Sequence, residues 1–268
     1  MIDIHCHILP CLDDGARAVE DALEMCSIAA RDGITTIVAT PHILCDAGDP
    51  DISDIRDACE SLRENLGLQG AGIDLRWAAE VRMAEDLPRR IKAGEIPLLD
   101  ASGIYLLLEP PLLGGNAEHL CKTIFDLRLD NMAPVIAHPE RCEMFASSPS
   151  LARRVVEQGA LLQVNAACIV AEAESKGASP VGEWLREGLV HVVASDAHDT
   201  VRRPPVLSKA ARACAELVGT DRAERLFRVN PARILAGLEV APLEYVVDNA
   251  DKSNMKNSTM MNILRWKT

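Results

Sequence analysis

The sequence predicts an α/β protein built on parallel sheet. Short β-branched runs alternate with amphipathic stretches along most of the chain. The strand runs are apolar almost throughout, as expected when helices cover both faces of a sheet. Gly33 and Gly188 fall just where two of the helical stretches should end in C-caps. The strands are expected at Ile2–His5, Thr35–Ala39, Ile73–Ala79, Ile104–Leu108, Pro134–Ala137, Leu161–Asn165 and Val190–Ala194. Helical periodicity occupies Val19–Arg31, Ile52–Asn65, Ala117–Asp130, Leu151–Gln158, Pro180–Arg186, Val206–Val218 and Arg222–Val229. Seven such units would close into a barrel, and an open doubly wound sheet is the structural alternative.

Composition narrows the function. The chain has 268 residues, 48% of them hydrophobic but only 3% aromatic, so the core is expected to be Ala, Val, Leu and Ile. A net charge of −12 argues against nucleic acid or an anionic membrane surface as the main partner. It leaves room for an anionic substrate at a locally basic site. There is no basic and then apolar leader, and no apolar run long enough to span a bilayer, so neither a signal peptide nor membrane insertion is expected. Nine cysteines, none in C-x-x-C pairs, read as small core residues in a reducing cytoplasm. No linker divides the chain, and one domain is expected over residues 1–246. Residues 247–268 are polar and Asn-rich and are expected to form a disordered tail.

The metal-binding residue types fall in a pattern. His5 and His7 close the first strand, and His42 follows the second. Glu80, Glu109 and His138 end the third, fourth and fifth, and Asp196 and His198 follow the seventh. In a parallel barrel all these ends share one face, where active sites are built. Residues i and i+2 of a strand point the same way, so His5 and His7 can share a cation. Imidazole and carboxylate ligands without thiolate suit Mn²⁺, Fe²⁺ or Zn²⁺ better than Ca²⁺. Eight candidate ligands exceed one ion's needs, which implies two or three ions.

The stretches DIHCHILP with DDG, TPH, AEV, AHPER, SDAH and NPARILAG, in this order over residues 1–240, resemble the polymerase and histidinol phosphatase (PHP) superfamily. Within it they look like the bacterial capsule-associated, manganese-dependent protein-tyrosine phosphatases. The resemblance implies a distorted seven-stranded barrel and a site for up to three ions. Carried over, His5, His7, Glu80 and Asp196 would hold the first ion. Glu80 would bridge to a second, held with Glu109 and His138. Asp14, His42 and His198 would hold the third. Arg141 and Arg203 would bind the substrate phosphate, with Arg202 the neighbouring alternative to Arg203. The implied reaction is hydrolysis of protein phosphotyrosine by a metal-bridging hydroxide. The implied partner is a bacterial tyrosine kinase that controls capsular or exopolysaccharide synthesis.

Several positions depart from the family pattern. Cys11 stands at a common glycine, Pro110 and Pro111 follow Glu109, Cys142 follows HPER, and Asp199 stands where asparagine is common. Glu140 is expected either to pair with Arg141 or to face solvent, and Asp13 to serve as a turn or cap. Asn165, at the end of its strand, is a candidate to line the pocket. Competing readings are a PHP-type phosphatase for a small phosphomonoester, a degenerate binding scaffold, and a thiol phosphatase using Cys11 and Arg17. The last needs a phosphate-cradling loop of positive potential, yet Asp13 and Asp14 lie between the two residues.

Overall fold

A computed structural model describes residues 1–44, 48–69, 72–175 and 179–241; the expected tail at 247–268 lies outside the described residues. The strands are β1 (Ile2–Cys6), β2 (Thr36–Ala39), β3 (His42–Ile43), β4 (Asp74–Trp77), β5 (Glu80–Arg82), β6 (Tyr105–Glu109), β7 (Ala133–Ala137), β8 (Leu161–Asn165) and β9 (Val190–Ala194). All their pairings are parallel. One sheet has the order β1-β2-β4 and the other β3-β5-β6-β7-β8-β9. The α/β class with parallel sheets therefore holds.

The expected Thr35–Ala39 is β2 and Ile73–Ala79 contains β4, and each is followed by a short strand that was not expected, β3 and β5. Pro41 has no N–H to give to a ladder, so the first sheet stops beside it. Thr40 closes that end: Cys6 N–H donates to Thr40 Oγ1 at 3.1 Å, and Thr40 N–H to Cys6 O at 2.9 Å. Beyond the break, His42 and Glu80 lie opposite each other in the β3–β5 pair. These two residues thus begin short strands of their own instead of trailing long ones. At the other edge, the chain leaving β9 returns to β1. Asp196 N–H donates to His5 O at 2.9 Å, and His7 N–H donates to Ala197 O at 2.8 Å.

The helices are α1 (Val19–Arg31), α2 (Ile52–Gln69), α3 (Leu87–Lys92), α4 (Ala117–Leu129), α5 (Glu143–Ser147), α6 (Leu151–Glu157), α7 (Ala166–Glu174), α8 (Pro180–Glu187), α9 (Ser208–Val218), α10 (Thr220–Glu224) and α11 (Asn230–Leu235). A π-helical turn at Arg225–Val229 joins the last two, so the helix expected at Arg222–Val229 is the middle of a longer stretch. Their ends are anchored by side chains. The Asn116 side chain accepts the N–H groups of Glu118 and His119 to start α4. The Asp32 carboxylate, just past α1, accepts N–H from Leu207 and Ser208 and so caps α9 from a distance. Gly33 (φ 85°) and Gly188 (φ 75°) take the left-handed turns expected of them.

Alternation along the strands sorts the core into two layers. Ile4, Val38, Leu107, Val135 and Val192 face one cluster, joined by Ile234 from α11 and Val240. Their strand neighbours Ile37, Leu106, Leu108, Ile136 and Val193 face the larger cluster, which the helices cover. Polar residues gather where the strands end in the C-terminal direction, and there the site forms.

Candidate metal centre

All nine residues proposed as ligands come together. Their ligand atoms form four overlapping groups, each with its members' atoms within 4.8 Å of one another. The groups are His7, Asp14, His42 and His198; His5, Glu80 and His138; His5, His7 and Asp196; and His42, Glu80 and Glu109. The partition differs from the implied one: His7 also approaches the Asp14 group, His5 joins Glu80 and His138, and His42 in place of His138 joins Glu80 and Glu109.

Several geometric features fit these residues to cations. Glu80 is fully buried at the centre. His5 Nε2, His7 Nε2 and His42 Nδ1 crowd its Oε2 at 3.2, 3.3 and 3.1 Å, yet no hydrogen bond satisfies that oxygen. A buried carboxylate oxygen without a partner is costly unless a cation takes the place. His5 Nε2 and His7 Nε2 also face each other at 3.1 Å, the arrangement of two lone pairs aimed at one centre.

The outer ring nitrogens are already committed. His5 Nδ1 donates to Gln163 Oε1 at 2.7 Å, His7 Nδ1 to Asp13 Oδ2 at 2.7 Å, and His198 Nδ1 to Asp196 O at 3.0 Å. Each bond fixes the tautomer that leaves Nε2 free as a ligand. Proton affinities agree with a centre short of positive charge. Burial would lower His7, but the carboxylates of Asp13 and Glu80 outweigh it and raise the imidazole to about 10. Burial raises Asp196, yet His5, His138 and Arg203 hold it down to about 2. Burial, His7 and Arg203 push His198 down to about 4, keeping its lone pair available. Burial and the neighbouring Glu80 raise Glu109.

Asp196 connects the cluster to the arginines. Its Oδ1 faces His5 and His7 at 3.5 and 3.6 Å. Its Oδ2 accepts from Arg141 Nη1 at 3.0 Å, Arg203 Nη2 at 2.6 Å and Asn165 Nδ2 at 2.6 Å. Asp196 (φ 52°) and His138 (φ 30°) both hold left-handed backbone, a strain that non-glycine residues accept where it aims a functional side chain. A cavity of about 390 Å³ opens over the cluster, lined by candidate ligand residues, Arg82, Arg141 and Arg203, and by the apolar Leu12, Leu44, Pro50 and Leu112.

A family model described as "Capsular polysaccharide synthesis, CpsB/CapC" matches residues 1–236. The chain belongs to the CpsB/CapC family. It is 34% identical over 205 residues to "Tyrosine-protein phosphatase YwqE" of Bacillus subtilis, covering 76% of this chain and 79% of that one. It is 28% identical over 240 residues to "Tyrosine-protein phosphatase CpsB" of Streptococcus pneumoniae, covering 88% and 98%. A crystal structure from a study of YwqE and CpsB, described there as "unique metal-dependent tyrosine phosphatases", superposes with a TM-score of 0.81 at 30% identity. It covers 92% of this chain and 100% of its own.

Within this family member, the structure gives roles to residues that the sequence left undecided. Asp13 is more than a turn residue: it accepts from His7 Nδ1, from Gly15 N–H at 2.9 Å and from His42 N–H at 3.2 Å. Gln163 was not anticipated. It links His5 to Asn165 Oδ1 by a 2.9 Å bond, and Asn165 continues to Asp196, so one amide relay joins two candidate ligands. The available signal was a pair of amides at i and i+2 in the otherwise apolar LLQVN. Glu140 neither pairs with Arg141 nor faces solvent; its Oε1 accepts Asn165 N–H at 2.8 Å.

The two turns beside the site are closed by backbone. Gly15 packs so tightly that a Cβ there would sit 2.0 Å from His7 O. Cys11 is left-handed (φ 61°), a conformation glycine adopts freely. Its exposed Sγ donates to the Arg17 carbonyl at 3.0 Å.

Proposed function

We propose that this chain is a metal-dependent protein-tyrosine phosphatase of capsular or exopolysaccharide synthesis, with a phosphorylated tyrosine kinase as its protein partner. The observation that carries the reading is the convergence of five histidines and four carboxylates beneath a cavity that also holds Arg141 and Arg203. The family and its named relatives support the same reading. The reading takes His5, His7, Asp14, His42, Glu80, Glu109, His138, Asp196 and His198 as ligands. It takes Mn²⁺ as the native ion, with Fe²⁺ and Zn²⁺ chemically admissible. It also takes residues 1–246 as one domain, and the cytoplasm as its place. The strand order and the return of β9 to β1 support a distorted seven-unit barrel of the PHP type.

Bound metal ions would supply Lewis acidity and a nucleophile from water near neutral pH. The chain's own residues do the rest. Arg141 and Arg203, both anchored on Asp196, would clamp the equatorial phosphoryl oxygens with planar N–H pairs that lysine does not reproduce. Asn165 holds the same Asp196 oxygen and so keeps that anchor still when the guanidiniums engage substrate. Leu12, Leu44, Pro50 and Leu112 offer apolar surface to a phenyl ring. A tyrosine phenol, with an unperturbed pKa of about 10, leaves more readily than an alkoxide and places little demand on a general acid.

Steady-state kinetics on a phosphotyrosine peptide beside histidinol phosphate and sugar phosphates test this reading. The peptide is expected to have the highest kcat/KM. A small phosphomonoester exceeding it by an order of magnitude or more would overturn the protein-substrate assignment.

A further inference from the structure

A second cavity adjoins the first. It measures about 670 Å³, within the range of ligand sites, and shares Asp14, His198 and Arg203 with the metal cavity. Two turns build its outer wall. In one, Cys11 N–H donates to Ala16 O at 2.9 Å and Cys11 Sγ to Arg17 O, which presents Arg17. In the other, Asp199 Oδ1 accepts the N–H groups of Val201, Arg202 and Arg203, and His198 N–H donates to Arg203 O at 2.9 Å. That closure divides the adjacent arginines. Arg203 reaches the metal cavity and Asp196, whereas Arg202 lines only the outer cavity, next to the exposed Val201.

The lining balances Arg17, Arg202 and Arg203 against Asp14, Asp21 and Asp199, but two of its guanidiniums are open to an anion. Arg17 and Arg202 are exposed, and neither has an ion-pair or hydrogen-bond partner for its guanidinium among the described residues. Three carboxylates share the cavity. Asp14 faces His42 and His198, and the Asp199 charge is spread over three N–H groups. Asp21 remains, half-buried, against two arginines. On a chain of net charge −12, two unpaired guanidiniums beside the reaction centre form a local exception.

We infer that this outer cavity is a subsite for acidic residues flanking the phosphotyrosine, with Arg17 and Arg202 recognising their carboxylates. The inference rests on the phosphatase reading. The phosphoryl group would enter the metal cavity, and the neighbouring side chains would lie across the ridge of Asp14, His198 and Arg203 into the outer one. Arg17 and Arg202 would be specificity residues that hold substrate without touching the phosphoryl group.

The test uses the full chain with three phosphotyrosine peptides that differ only in flanking Glu, Gln or Lys. The readout is the ratio of acidic-peptide to neutral-peptide kcat/KM within each variant. For the unaltered protein, two partly exposed charge pairs are expected to favour the Glu peptide about five- to tenfold, through KM, fading at high salt. In the Arg17→Ala/Arg202→Ala variant the ratio falls to about one, and Arg17→Lys/Arg202→Lys restores part of it. Equal turnover of all three peptides by the unaltered protein, or a preference that survives the double alanine variant, overturns the subsite and leaves the phosphatase reading standing. No turnover of any phosphotyrosine peptide overturns both.

Discussion

Glu80→Gln is expected to lower kcat on a phosphotyrosine peptide by about 10³-fold or more, while the chain still folds. Glu80 lies closer to more of the candidate ligands than any other described carboxylate. Its Oε1 accepts from His138 Nε2 at 2.8 Å, and its Oε2 stands 3.1 to 3.3 Å from His5, His7 and His42. Glutamine keeps the shape but removes the charge, and sets an NH₂ group against imidazole nitrogens or a cation. The paired charges are what hold the Glu80 carboxyl well below its usual range against the pull of burial. Losing the shared carboxylate would cost several kcal/mol of charge stabilisation, and each ~1.4 kcal/mol is tenfold in rate. Circular dichroism and metal content are measured alongside kcat. A folded variant with unchanged metal content and kcat within about tenfold would remove Glu80 from the centre.

Arg141→Lys and Arg203→Lys are each expected to lower kcat/KM for phosphotyrosine by about 10²-fold, with metal content preserved. Each guanidinium gives an N–H to Asp196 Oδ2 and still lines the cavity, so one residue both anchors and reaches. Lysine offers a point charge without the planar fork. Asn165 still holds Asp196 in either variant, so the ligand geometry should survive. Full kcat/KM in both variants would show that phosphate is bound elsewhere. Loss of metal instead of loss of rate would make the arginines structural.

The pattern of a polar residue after each apolar run exposed the strand-end His and carboxylate cluster, because parallel strands bring their C-terminal ends together whatever the loop details. The additional short strands β3 and β5 were less visible. Pro41 in TPHI signals a break, but only the tertiary fold shows that β3 restarts opposite β5. α7 escaped because AACIVAEAE continues the apolar run of β8 with no change of period until Asn165 has turned the chain. The choice between Arg202 and Arg203 depended on the Asp199 turn, a set of backbone contacts that adjacent residues of equal charge do not reveal. Asp13, Gln163 and Asn165 act through other side chains, so their roles follow from distances between residues far apart in sequence.

Metal analysis of the purified full chain, coupled to a phosphotyrosine-peptide assay, bears most directly on the central claim. The account predicts that transition metal co-purifies, that chelation abolishes turnover, and that Mn²⁺ add-back restores it while Cys11→Ser leaves it intact. A chain that contains no transition metal and hydrolyses the peptide equally well with and without chelator would contradict it.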